Sequence, residues 1–154
     1  MKVLLATDGS EFSRAAVDAC LELIKLGDVK ELEILSVYEP QLPMPAEPFA
    51  ISAEYYRKLD DLAEARALEA IDNAADAVRS SFPEGPELRT SVQLGRAAQV
   101  IVDEAEKMGC DLVIVGSHGR GFWGRLTLGS VSDTVVHHAP CSVLVVRSNV
   151  SAGT

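Results

Sequence analysis

The sequence predicts an α/β fold: a single-domain, doubly wound, parallel five-stranded sheet with helices on both faces. Three observations carry this. Short continuous apolar runs, VLLAT at 3–7, LVIVG at 112–116 and SVLVV at 142–146, have the length and hydrophobicity of strands, and the first reads as buried on both faces. Stretches with apolar residues three and four apart, the spacing of amphipathic helices, separate the strands. Strands that alternate with helical crossovers lie parallel, so the chain winds one sheet rather than a stack of hairpins.

Each element follows from its own residues. Asp8-Gly9-Ser10 breaks the first strand. Val17, Cys20, Leu21 and Ile24 then fall at i, i+3, i+4 and i+7, one face of a helix that Gly27 closes in left-handed geometry. LEILSVY at 32–38 is the second strand, and Pro40, Pro43, Pro45 and Pro48 exclude regular structure after it. From about Ser52 to Phe82 the chain is rich in Ala, Leu, Glu and Arg. Leu59, Leu62, Ala63, Arg66, Ala70, Ala74 and Val78 form a narrow stripe there, which predicts one long helix stopped by Pro83, Gly85 and Pro86.

ELRTSVQL at 87–94 is the third strand, polar enough in its alternation to be the less buried one. Ala98, Ile101, Val102, Ala105 and Met108 share a helical face that Gly109 caps. LVIVG is the fourth strand and the most apolar. A short helix over Ser130–His138 ends before Pro140, and SVLVV is the fifth strand. Residues 149–154 read as a frayed tail, so the domain is expected to span 1–148.

Composition narrows the function. A net charge of −9 argues against non-specific binding to nucleic acid or to an anionic membrane, and no basic stripe interleaved with aromatics reverses that. No apolar run is long enough to span a membrane, and the five apolar residues near the N-terminus are too few for a signal peptide. The three cysteines, Cys20, Cys110 and Cys141, are odd in number and form no CxxC. They read as small buried hydrophobes of a cytoplasmic protein.

The stretch GSHGRGFWGRLTLGS at 116–130 stands apart, because no Asp or Glu occurs between Asp111 and Asp133 in this acidic chain. Gly119-Arg120-Gly121-Phe122-Trp123-Gly124 matches GxGxxG, but the helix starts too late for a dinucleotide fingerprint and no acid follows at ribose distance. Gly124 to Gly129 resembles half of a P-loop with Ser130 where the lysine belongs. The physics beneath these motifs still holds. Gly129-Ser130-Val131 opens a helix whose first N–H groups lack intrahelical partners and carry partial positive charge, an anion site that small residues leave accessible. A Ser130 N-cap behind a flexible glycine loop is the structural alternative. Arg120 and Arg125 add positive charge, and His118 is a further candidate for phosphate. In doubly wound sheets ligands bind beyond the carboxyl ends of the strands where the order reverses; here those ends carry Thr7-Asp8-Gly9 and Gly116-Ser117-His118-Gly119.

The spacing G-x2-G-x9-G-S/T on Gly116, Gly119, Gly129 and Ser130 resembles the nucleotide-binding loop of the universal stress protein family. TDGSEFSRAA after the first strand and HAPCSVLVV near the end resemble the same family, so the likeness covers the whole chain. It implies a Rossmann-like sheet of the adenine nucleotide alpha hydrolase type, with order 3-2-1-4-5, and a homodimer paired through the fifth strand, residues 142–146. It further implies ATP binding, with Mg, since the sub-class with this glycine pattern binds ATP. Position by position, the resemblance puts Asp8 near the ribose or a phosphate-bound metal, beside Ala6 and Thr7. Val37 would recognise adenine through its backbone, and Gly116 would lie against the ribose next to Val115. Gly119, Gly129, Ser130 and Val131 would hold the phosphates. The chain departs from the family at Ala6, where Pro or Val is common, at Ser142, which replaces a common Pro, and at the bulky pair Phe122-Trp123.

Three functional classes follow. One is a regulatory ATP-binding protein of the stress response whose loop or dimer changes with nucleotide. Another is a slow ATPase or adenylate-transferring enzyme; the loop lacks a lysine for the terminal phosphates, and Ser130 is the hydroxyl placed to receive one. The third is a nucleotide-independent module that binds a protein partner through Phe122 and Trp123. The first is the expected function. His137, His138 and Cys141 resemble a metal cluster in composition only, because adjacent histidines point about 100° apart on a helix.

Overall fold

In the computed structural model, residues 1–40, 52–119 and 128–148 are described. The chain runs β1 (Lys2–Ala6), α1 (Glu11–Lys25), β2 (Glu31–Tyr38), α2 (Ala53–Ser81), β3 (Glu87–Leu94), α3 (Ala97–Met108), β4 (Leu112–Gly116), α4 (Ser130–His138) and β5 (Ser142–Val146). The five strands form one parallel sheet in the order β3-β2-β1-β4-β5. The chain folds as a single domain with the topology the sequence and its resemblance imply.

Local chemistry sets the element ends. Ser10 caps α1, its hydroxyl accepting the Ser13 N–H at 3.2 Å, and Ser52 caps α2 in the same way through Tyr55. Gly109 closes α3 with φ 60°, a left-handed conformation that side chains with a Cβ disfavour. α4 differs from the serine-capped alternative: Gly129 is its N-cap and makes no side-chain bond, while Ser130 is the first helical residue and exposed.

The pleat sends alternate strand residues to opposite faces. Val3, Leu5, Leu32 and Ile34 pack beneath α1 and α2, against Ala16, Val17, Cys20, Ile71, Ala74 and Val78. Leu4, Leu35, Val113 and Val115 face α3 and α4, against Ile101, Ala105 and Val135. β3 is the least buried strand of the β1–β4 group, as its alternation predicts.

One expectation for α2 needs correction. Its buried residues are Ala67, Ala70, Ile71, Ala74, Ala75 and Val78, whereas Leu62 is 54% exposed and Arg66 is exposed. The stripe therefore meets the core only over its second half. A 29-residue helix is about 43 Å long, while the eight-residue strand β2 that it packs on spans about 26 Å, so the helix outruns the sheet.

Candidate nucleotide-binding site

A cavity of about 350 Å³ opens at the carboxyl end of the sheet, where β1 and β4 lie side by side and their chains leave in different directions. That is the position at which doubly wound sheets bind ligands, and the volume falls in the range of small-molecule sites. Ala6, Thr7 and Asp8 reach it from the end of β1, Val37 from β2, and Val115 and Gly116 from β4. Gly119, Gly129, Ser130 and Val131 close the side beside α4, and His118 lines it too. Segments separated by as much as 120 residues thus meet in one space. Arg120, Arg125, Phe122 and Trp123 lie outside the described residues.

The turn after β1 is held by its own side chains. Asp8 Oδ1 accepts the Ser10 N–H at 2.9 Å, an Asx-turn, and Gly9 takes φ 73° to complete it. The Thr7 hydroxyl donates to Ser13 Oγ at 3.2 Å, and the Ser13 hydroxyl donates to the Ser10 carbonyl at 3.0 Å. Asp8 therefore shapes the turn with one oxygen, while Oδ2 is directed at Gly119, where an added Cβ would lie 3.2 Å away.

The three glycines of the spaced motif have negative or extended φ, so their reason is space and not backbone conformation. A Cβ on Gly116 would meet the Phe12 carbonyl carbon and oxygen at 2.7 Å, which are backbone atoms in the first turn of α1 and cannot step aside. On Gly129 a Cβ would stand 3.2 Å from His118 Cα and 3.3 Å from the Ser117 carbonyl oxygen. These contacts bring the ends of the segment together. The Gly129 N–H donates to the Ser117 carbonyl at 2.9 Å, and the buried Ser132 hydroxyl bonds the Ser117 and Gly129 carbonyls at 2.9 Å each. His118 is fixed beside them, with Nδ1 3.1 Å from Ser117 Oγ and its ring tilted against Phe12 at 5.2 Å.

The arrangement suits an anion with an apolar appendage. The first intrahelical bond of α4 is Asp133 N–H to the Gly129 carbonyl, so the amides before it open toward the cavity end of the helix without intrahelical partners. Leu35, Val37, Ala97, Ile101 and Val115 supply an apolar wall at the other side. The polar groups of the described lining are backbone amides, the hydroxyls of Thr7, Ser13, Ser130 and Ser132, the Asp8 carboxylate and the His118 ring. Sequence reasoning missed Leu35, Ala97, Ile101, Ser13 and Ser132. Leu35 shares a face of β2 with Val37, and Ala97 and Ile101 are one turn apart at the start of α3, so strand alternation and helix spacing held the signal.

His137 and His138 are exposed, and each Nδ1 lies against the carbonyl four residues back, 2.8 Å from Asp133 O and 2.9 Å from Thr134 O. Among the described residues no group of three or more His, Cys, Asp or Glu could hold a metal ion.

Comparison with known proteins agrees with the fold. Residues 1–147 match the model of the universal stress protein family. A universal stress protein of Bacillus subtilis, YxiE, is 30% identical over 95% of this chain and 98% of its own length. Among solved structures, universal stress protein UspA from Lactobacillus plantarum superposes with a TM-score of 0.76 at 25% identity, covering 96% of this chain and 97% of that one. A universal stress protein family protein from Arabidopsis thaliana, solved with AMP bound, reaches 0.67 at 22% identity over 97% and 93%. The chain belongs to the universal stress protein family. Among the described residues no helix is long and apolar enough to cross a membrane.

Proposed function

We propose that this chain is an ATP-binding regulator of the stress response, of the sub-class that carries the G-x2-G-x9-G-S/T loop, and that it works in the cytoplasm. The observation that carries the reading is the convergence of Ala6, Thr7, Asp8, Val37, Val115, Gly116, Gly119, Gly129, Ser130 and Val131 on one cavity beside the N-terminus of α4. The AMP bound in the Arabidopsis relative supports an adenine nucleotide as the occupant. Adenine would lie toward Val37 and the apolar wall, and the phosphates toward Gly129-Ser130-Val131, where the helix dipole favours negative charge. Asp8 is the carboxylate that would stand near the ribose or a phosphate-bound Mg.

The partner face in this reading is β5. Among the described strands it pairs with β4 on one side only, and Leu144 of this edge is 36% exposed. A bare parallel edge calls for cover, and a second copy meeting residues 142–146 supplies it.

Calorimetric titration of nucleotide-stripped protein with Mg-ATP, AMP and GTP tests the site. Saturable binding that prefers ATP is expected, weakened at least about tenfold in Gly129→Gln, because the new side chain starts within 3.3 Å of the Ser117–His118 backbone. Absence of binding with every nucleotide, confirmed by competition with a fluorescent analogue, removes the ATP assignment. Sedimentation at graded concentrations tests the dimer: a monomer at every concentration removes that part.

A further inference from the structure

The three cysteines occupy two different settings. Cys20, on the core-facing side of α1, is fully buried, and burial pushes its thiol up to about 12. Cys110 and Cys141, 31 residues apart, come together with their sulfurs 3.3 Å from one another. Cys110 follows the Gly109 cap of α3, and its N–H donates to the Ala105 carbonyl at 3.1 Å. Cys141 stands between Pro140 and the first residue of β5. β4 and β5 pair from Leu112 with Ser142 onward, so the two cysteines enter neighbouring strands at the amino end of the sheet. Both pack on the α3/α4 face, Cys110 buried and Cys141 partly exposed. This end of the sheet is opposite the cavity.

We propose that Cys110 and Cys141 form a redox modification site, in which a peroxide oxidises Cys141 and Cys110 closes a reversible disulfide within the chain. The two sulfurs already touch, and closing to the bonded distance of about 2.05 Å asks for a shift of little more than an ångström. Accessibility orders the steps. Burial, with Cys141 beside it, pushes the Cys110 thiol up to about 12, so the partly exposed Cys141 is the sulfur that meets the oxidant. Its Sγ attacks one peroxide oxygen: the S–O bond forms, the O–O bond breaks, and the thiol proton leaves with the departing hydroxide as water. Cys110 Sγ then attacks Cys141 Sγ: the S–S bond forms, the S–O bond breaks, and a second water carries away the Cys110 proton. Two thiols lose two electrons, and hydrogen peroxide gains them.

The bond would enclose residues 111–140, which include β4, the glycine-rich segment and α4, in one covalent loop. In a reducing compartment it would return to the dithiol once the oxidant is spent, as a sensor requires. The sulfur pair lies at the other end of the sheet from the cavity, so its oxidation does not depend on what occupies that cavity.

The test uses the full reduced chain and stoichiometric hydrogen peroxide, read by intact mass and by peptide mapping after alkylation. The expected product has lost two hydrogen atoms, yields one cross-linked pair of peptides holding Cys110 and Cys141, and returns to the starting mass with dithiothreitol. Its thermal midpoint rises by several degrees. Cys20→Ser gives the same product. Cys110→Ser leaves a Cys141 sulfenic acid that dimedone traps. The idea is overturned if the wild-type chain stays reduced at peroxide levels that oxidise an unstructured cysteine peptide. It is equally overturned if Cys141 runs on to the sulfinic acid, or if the bond forms to Cys20 or between chains.

Discussion

The two faces of this sheet are made from the same strands, yet they are not alike. Toward α1 and α2 the strands present Val3, Leu5, Leu32, Ile34, Leu88 and Val92, an apolar surface that two helices of 15 and 29 residues cover. Toward α3 and α4, helices of 12 and 9 residues, the apolar surface comes from β1, β4, β5 and the upper part of β2. On β2 and β3 it gives way to Glu33, Ser91 and Gln93. Short helices leave the carboxyl end of that face open, and the cavity lies there. One face is therefore a core and little else, while the other combines core, polar cluster and binding space. In a pleated strand a single residue step decides which of these a side chain joins.

Removing bulk from the first face should give the largest effect on stability. Ile34 is fully buried between β2 and α2, so Ile34→Ala should cost about 3 kcal/mol in chemical denaturation, with cavity formation adding to lost burial. Nucleotide affinity of the folded fraction should hardly change, because Ile34 points away from the cavity. A comparable fall in affinity would break the division between the faces.

Ser132 probes the second face. Its buried hydroxyl joins the Ser117 and Gly129 carbonyls, the two ends of the glycine-rich segment. Ser132→Ala should cost about 1 kcal/mol of stability, since the Ser117 carbonyl keeps the Gly129 N–H and the Gly129 carbonyl keeps the Asp133 N–H. Under the ATP reading, affinity should fall several-fold in the same variant. Unchanged titration curves beside lowered stability would separate the anchoring of the segment from ligand binding.

These two faces were not equally legible in the sequence. The strands and α4 fall within a residue or so of their expected bounds, and α1 and α3 end beside the expected glycines at 27 and 109, because apolar runs and closing glycines are local signals. Periodicity gave the buried side of α2 but not its buried length, since spacing reports an angle around a helix and not where the sheet beneath it ends. The spaced glycines pointed to the segments that meet in the cavity. They did not disclose why each is glycine: Gly116 is pressed by the first turn of α1, a contact between segments about a hundred residues apart. The Cys110–Cys141 approach was hidden for the same reason. Cysteines 31 apart become neighbours only once β4 and β5 are known to be adjacent and parallel.

The polar cluster on the second face offers the smallest and most specific test. Glu104 is largely buried on α3, and burial alone would push its carboxyl up. The hydrogen bonds from Gln93 at 2.9 Å and Lys107 at 3.0 Å more than offset that and hold it below the usual carboxylate range. A carboxyl depressed by folding contributes stability that is fully present above the unfolded value of about 4.3 and is lost as pH falls through the lower folded value. Glu104→Gln keeps the shape of the side chain and removes the titration. Unfolding free energy measured from neutral pH down to the acid limb should therefore drop less steeply in the variant than in the parent, with the two curves converging at the acid end. Ile34→Ala should shift the whole curve by a constant amount, because no ionisable group changes. If Glu104→Gln also moved the curve uniformly, the cluster would be packing on the second face as Ile34 packs on the first, and the electrostatic distinction between the two faces would fall.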